Sequence, residues 1–179
     1  MTQILRMYLV NSPVVRAEVL KFREEGVRDV VSRVLLPWLN SFRFFLGQAA
    51  LFQKDHAEVF QYDAHAKRSD NVMDRWVLAR CQSLIKLVRE EMAGKGASTW
   101  SCRGIHKLTT FMTAYRLYTI IGRLLGLIDE ITNWYIRFNR KRLKGGNGRE
   151  DTRAALNTLF ETLFTLTRTM VSSTFTTKY

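Results

Sequence analysis

Residues able to do chemistry are few and scattered along this chain. His56, His65 and His106 stand in polar stretches, and none shares a metal-ligand spacing with a carboxylate or thiol. Cys102-x-x-x-His106 is half of a zinc-like spacing that lacks its second half. Cys81 and Cys102 form no CxxC pair, a usage that suits a reducing compartment. No phosphate-cradling glycine loop or Gly-x-Ser-x-Gly turn occurs. The acidic pairs Glu24-Glu25 and Glu90-Glu91 fit solvated helix faces better than an acid/base couple.

The stronger signal is basic. Arg137, Arg140, Lys141, Arg142 and Lys144 crowd into one short run. Such a run can be a solvated helix end whose cations complement the negative pole of the helix dipole. It can equally contact phosphate, because guanidinium forks match phosphate oxygens. Trp134, Tyr135 and Phe138 interleave with it and carry planar faces on which bases could stack. Their helical spacing, however, places Trp134 and Phe138 on the apolar face, where core packing is expected. The whole chain is biased the same way: 28 Lys and Arg against 16 acids give a net charge of +12 over 179 residues. A charge that high favours a polyanionic partner.

The elements that would hold these residues read as long amphipathic helices. Between about Gly26 and Gln53, apolar residues recur three and four apart (Val27, Val30, Val31, Val34, Leu35, Leu39, Phe42, Phe45, Leu46). Pro37 inside that pattern should kink it, because it lacks a donor and its ring meets the preceding turn. Asn71 with Asp74 resembles a capping box that opens a helix to about Ala93. Its core stripe is Met73, Val77, Cys81, Leu84 and Val88, and Gly94-Lys95-Gly96 should stop it. Residues 94–113 show no clear period. A third helix is expected from about Ala114 to Lys144, with Leu117, Ile120, Ile121, Leu124, Leu125, Ile128, Ile131, Trp134, Tyr135 and Phe138 on one face. Gly145-Gly146 ends it. Asn147-x-x-Glu150 then offers a cap for a final helix carrying Leu156, Leu159, Phe160, Leu163, Phe164 and Leu166. Helices joined in this way predict an all-α bundle. The first 22 residues differ: a short apolar stretch, a break at Pro13, then Val14 to Phe22 as strand or connector.

No run approaches the roughly 18 uncharged apolar residues of a membrane helix, and no cleavable secretory segment opens the chain. A membrane-surface helix fits poorly, because the cations do not line a face opposite one apolar stripe.

Three segments carry a resemblance. Arg6-Met7-Tyr8-Leu9-Val10 with Asn11-Ser12-Pro13-Val14-Val15-Arg16-Ala17-Glu18 resembles the stretch after the second catalytic motif of cytosolic, eukaryotic-type isoleucyl-tRNA synthetases. The run from Gly26-Val27-Arg28-Asp29 through Leu35-Leu36-Pro37-Trp38 looks like the helix that follows it there. Asp74-Arg75-Trp76-Val77-Leu78 is shared more widely among the valyl, leucyl and isoleucyl enzymes of class I. The stretch Thr132-Asn133-Trp134-Tyr135-Ile136-Arg137-Phe138-Asn139-Arg140-Lys141-Arg142-Leu143-Lys144-Gly145 is similar to the isoleucyl members specifically. These matches cover about four-fifths of the chain in the family's order.

The resemblance implies an all-α bundle of the class I synthetase anticodon-binding type with a short N-terminal stem-contact remnant. Residues 1–25 would be that remnant of the catalytic domain, 26–170 the helical anticodon-binding domain, 94–113 an atypical insertion and 171–179 an atypical tail. The implied partners are tRNA(Ile) and the parent's catalytic and editing domains, in the cytoplasm, without membrane or DNA. Arg137, Arg140, Lys141, Arg142 and Lys144 would hold the tRNA backbone. Five phosphate contacts imply a log–log salt slope of roughly −3.5 to −4.5. The family's HIGH and KMSKS motifs are absent, so no catalytic residue and no cofactor is expected in this chain; ATP and Mg belong to the parent enzyme. Gly122 stands where the family commonly has proline. The alternative is a truncated or mis-spliced fragment acting as an interaction or regulatory module.

Overall fold

The computed structural model describes residues 2–12, 19, 22–65, 69–92 and 117–175, and every regular element among them is helical. In chain order these are α1 (Thr2–Asn11), α2 (Glu24–Val30), α3 (Leu36–His56), α4 (Val72–Met92), α5 (Leu117–Glu130), α6 (Ile136–Phe138), α7 (Arg140–Leu143) and α8 (Arg149–Phe175). Wide π turns join α2 to α3 (Val31–Leu35) and α5 to α6 (Ile131–Tyr135). The segments Pro13–Glu18 and 94–113, the stop signal Gly94-Lys95-Gly96 and the Cys102/His106 pair lie outside the described residues.

Cross-helix pairs set the directions. Phe45 on α3 meets Phe160 on α8, with ring centroids 5.8 Å apart, while Glu58 just past α3 pairs with Arg149 at the start of α8. The two helices are therefore antiparallel. Arg142 bridges the first turns of α4 and α8 through Asp74 and Asp151, and Cys81 meets Thr162 further along both, so these two run parallel. Arg80 with Glu130 and Asp74 with Tyr135 make α5 antiparallel to α4. The result is an up-down-up-down bundle of α3, α4, α5 and α8, which buries Val77, Leu124, Ile128, Leu156, Leu159 and Leu163 to 1% exposure or less. Each such side chain contributes about 1.5–3 kcal/mol by leaving water. Burial also pushes the Cys81 thiol up to about 12, an inert group at neutral pH.

The N-terminal residues join this core. α1 lies against α2, α5 and α8, and its Met7 is 3% exposed. Around Pro37 the expected kink takes the form of the π turn just before it. A regular helix would drive the proline ring into the Arg33 carbonyl and leave that carbonyl without its donor; the turn before it widens instead, with the Leu36 N–H donating to the Val31 carbonyl.

Two expected caps form differently. Asn71 Oδ1 accepts from the Met73 N–H at 2.8 Å, as an N-cap should. Asp74 does not reach back, and the Asn71 N–H donates to Ser69 Oγ instead. The Asn147–Glu150 box does not form: α8 begins at Arg149 after Gly148 at φ +102°, and Asn147 Nδ2 donates to Asp151.

Candidate nucleic-acid interface

The basic run is built around one buried charge. Asn139, at φ −91° and ψ 7°, interrupts the helix after Phe138, and its Nδ2 donates to the Tyr135 carbonyl at 3.0 Å. The chain resumes as α7 with Leu143 and Arg142 turned inward, at 1% and 6% exposure. Arg142 Nη2 donates to Asp74 Oδ2 at 3.0 Å and Nη1 to Oδ1 at 3.2 Å. Its Nε donates to Asp151 Oδ2 at 2.9 Å, and Nη1 also reaches Asn139 Oδ1 at 2.8 Å. Tyr135 completes the cluster by donating its hydroxyl to Asp74 Oδ1 at 2.7 Å. Thr152 Oγ1 donates to the Arg142 carbonyl at 3.0 Å, fastening α7 to α8.

The titration of this cluster follows from its contacts. Hydrogen bonds donated to Asp151, then to Asp74, hold the Arg142 guanidinium above its already high range. The same bond keeps the Asp151 carboxyl below its ordinary value. Burial, reinforced by the negative Asp74, pushes the Tyr135 phenol well up. Arg142 therefore departs from the phosphate-contacting role expected of it: two carboxylates already occupy its fork, and the fork lies under the surface.

The other four expected cations face outward. Arg137, Arg140, Lys141 and Lys144 are exposed, and none makes an ion pair among the described residues. Arg140 lies over the Phe44 ring, 6.0 Å from its centroid, a cation–π contact that narrows where its fork can point. Gly145 at φ +87° turns the chain, and the Gly146 N–H donates to the Lys141 carbonyl at 3.0 Å. That return brings Gly146 so close to Lys141 that a Cβ there would sit 2.9 Å from the carbonyl oxygen.

Trp134 and Phe138 correct the sequence expectation. Both were placed in the core by period, yet they are 55% and 63% exposed, side by side with ring centroids 5.9 Å apart. The cause is the π turn over Ile131–Tyr135, which inserts one extra residue into the helical turn. The buried stripe steps from Ile131 to Tyr135, Asn139 and then Arg142 with Leu143, instead of to Trp134 and Phe138. The outward face thus presents two aromatic rings flanked by four cations that have no ion-pair partner among the described residues. Asn139 and Arg142 were the legible clue: polar residues at that phase belong inside only if a carboxylate waits there, and Asp74 does.

Among the described residues no three His, Cys, Asp or Glu side chains stand together to hold a metal ion. His56 packs on Phe52 and His65 is exposed. No described helix is long and apolar enough to cross a membrane.

Residues 103–171 match the family model of the anticodon-binding domain of tRNA ligase. With the helical bundle and its cationic, aromatic tip, that match defines the class of domain. The relatives narrow it further. The chain is 57% identical over 166 residues to the cytoplasmic isoleucine–tRNA ligase of Schizosaccharomyces pombe, covering 93% of this chain and 14% of that protein. Against the cytoplasmic isoleucine–tRNA ligase of Saccharomyces cerevisiae it is 54% identical over 170 residues, 95% of this chain and 14% of the relative. Against that of Mus musculus it is 47% identical over 171 residues, 95% and 12%. The chain belongs to the isoleucine–tRNA ligase family and spans about one-seventh of the length of these relatives.

Proposed function

We propose that the α6–α7 tip is an RNA-contacting surface through which an isoleucine–tRNA ligase holds tRNA(Ile) in the cytoplasm. The observation that carries this reading is the exposure of Trp134 and Phe138 beside four cations that pair with no carboxylate among the described residues. Arg137, Arg140, Lys141 and Lys144 supply backbone phosphate contacts, and the two rings offer stacking faces to unpaired bases. Arg142 works from beneath: its grip on Asp74 and Asp151 sets the orientation from which its neighbours project.

The division into residues 1–25, 26–170 and 171–179, with 94–113 inserted, belongs to the same proposal. So does ATP and Mg chemistry in the parent enzyme. No step of that chemistry is assigned to this chain.

Titration of the purified chain with a tRNA(Ile) transcript across a salt series tests the reading. Four phosphate contacts give a log–log slope between roughly −2.8 and −3.6. Replacing Arg137 and Lys141 with alanine should make the slope shallower by about 1.5. An unchanged slope in that variant, or equal affinity for heparin and tRNA, overturns it.

A further inference from the structure

A second arginine-lined site lies away from the tip. A groove of about 200 Å³ runs between α4 and α8, with Ile85 and Val88 on its wall and Arg89 and Arg168 at its rim. Both arginines are exposed, and neither has an ion pair among the described residues. Phe164 borders the same groove. It is 56% exposed on a helix whose other apolar positions are mostly buried. Its ring lies parallel to Phe160, 13° between planes and 6.2 Å between centroids, and Phe160 in turn rests against Tyr62 at 4.8 Å. One face of Phe164 is therefore backed by a fixed aromatic stack while much of the ring remains open to solvent.

We propose that this groove is a second RNA contact, taking one unpaired nucleotide with its base on Phe164 and its phosphate between Arg89 and Arg168. The proposal rests on the RNA-binding reading of the tip and extends it to a separate place. Two guanidinium groups with no ion-pair partner among the described residues are complementary to a phosphodiester, and a pre-ordered ring stacks any base at little cost in side-chain freedom. Along α8, Arg168 lies about 25 Å from Asp151, which anchors the tip. No side chain is shared between the two sites, so each can be removed alone.

The experiment measures affinity and salt slope of the full chain for a tRNA transcript in four variants: R89A/R168A, F164A, the tip variant R137A/K141A, and the charge control R33A/K54A. The expected result is that R89A/R168A weakens binding about tenfold or more and makes the slope shallower by about 1.5. F164A should weaken binding at every salt concentration with the slope unchanged. If R89A/R168A behaves like the charge control, or F164A binds like the parent chain, the second site is overturned. A tip variant that binds normally while the groove variants do not would overturn the tip reading and leave the groove standing. Thermal melts of each variant establish that the losses come from folded protein. A groove variant whose loss merely follows unfolding counts against the site.

Discussion

Arg142 holds Asp74 across 68 residues of sequence, Nη2 to Oδ2 at 3.0 Å, with the arginine side chain 8% exposed and the aspartate 1%. The pair pins the end of the α5–α7 arm to the first turn of α4, and Asp151 extends it to α8. The three elements that form the tip thus meet at one guanidinium.

Removing one partner of such a pair strands the other. Asp74→Asn leaves Arg142 with Asp151 as its one carboxylate, beside the Asn139 amide, and Tyr135 with a weaker acceptor, and should cost about 3–5 kcal/mol. Arg142→Met, which strands Asp74 instead, should cost a similar amount. Urea denaturation of both variants checks this; losses under about 1 kcal/mol would mean the pair contributes little beyond its own desolvation cost.

The cluster also makes the stability of the fold depend on pH. Asp151 titrates below its ordinary value, so its contribution is complete above the unfolded carboxyl range, near pH 4, and is lost as pH falls through the folded value. Tyr135 is raised instead. Its contribution is complete below the unfolded phenol value near 10 and disappears as pH climbs through the folded one. Asp151→Asn should flatten the acid limb of a stability–pH curve, and Tyr135→Phe should flatten the alkaline limb. Limbs that persist unchanged in these variants would assign them to other groups.

Neighbouring aromatic residues should behave oppositely. Trp134→Ala and Phe138→Ala remove exposed rings and should shift stability by less than about 0.5 kcal/mol. Tyr135→Ala empties a fully buried site and should cost about 3–5 kcal/mol. Melting curves measured side by side distinguish the observed phase from the one a regular helix would give, since that helix would make Trp134 and Phe138 costly positions alongside Tyr135.

The glycines divide in the same way. Gly146→Ala would bring a Cβ within 2.9 Å of the Lys141 carbonyl and should destabilise by about 1–3 kcal/mol. Gly122 and Gly126 lie in α5 with nothing within 4 Å of an added Cβ. Their change to alanine should stabilise by about 0.4–1 kcal/mol, by restricting the unfolded chain. A stability gain at Gly146, or a loss at Gly122, would contradict the packing described.

Much of this molecule could be read from residue order alone. The helices over 72–92 and 149–175, the buried stripe through Val77, Cys81 and Leu84, and the glycine stop after Lys144 follow from period and turn chemistry. These depend on neighbours three or four positions away, so local order suffices to specify them. The family resemblance was legible for the same reason, since it rests on contiguous runs. Only the tertiary structure decided which residues of the basic run reach solvent. A single π turn shifts the face presented after Ile131: Tyr135 stays inside as expected, Trp134 leaves the inner face, and Asn139 stands there in place of Phe138. The turn's inner phase is tied down by Asp74, 61 residues from Tyr135 and 68 from Arg142. A periodicity count sees one helix at a time. The partner that buried Arg142 lies on another helix, and its position is known only once the bundle has closed.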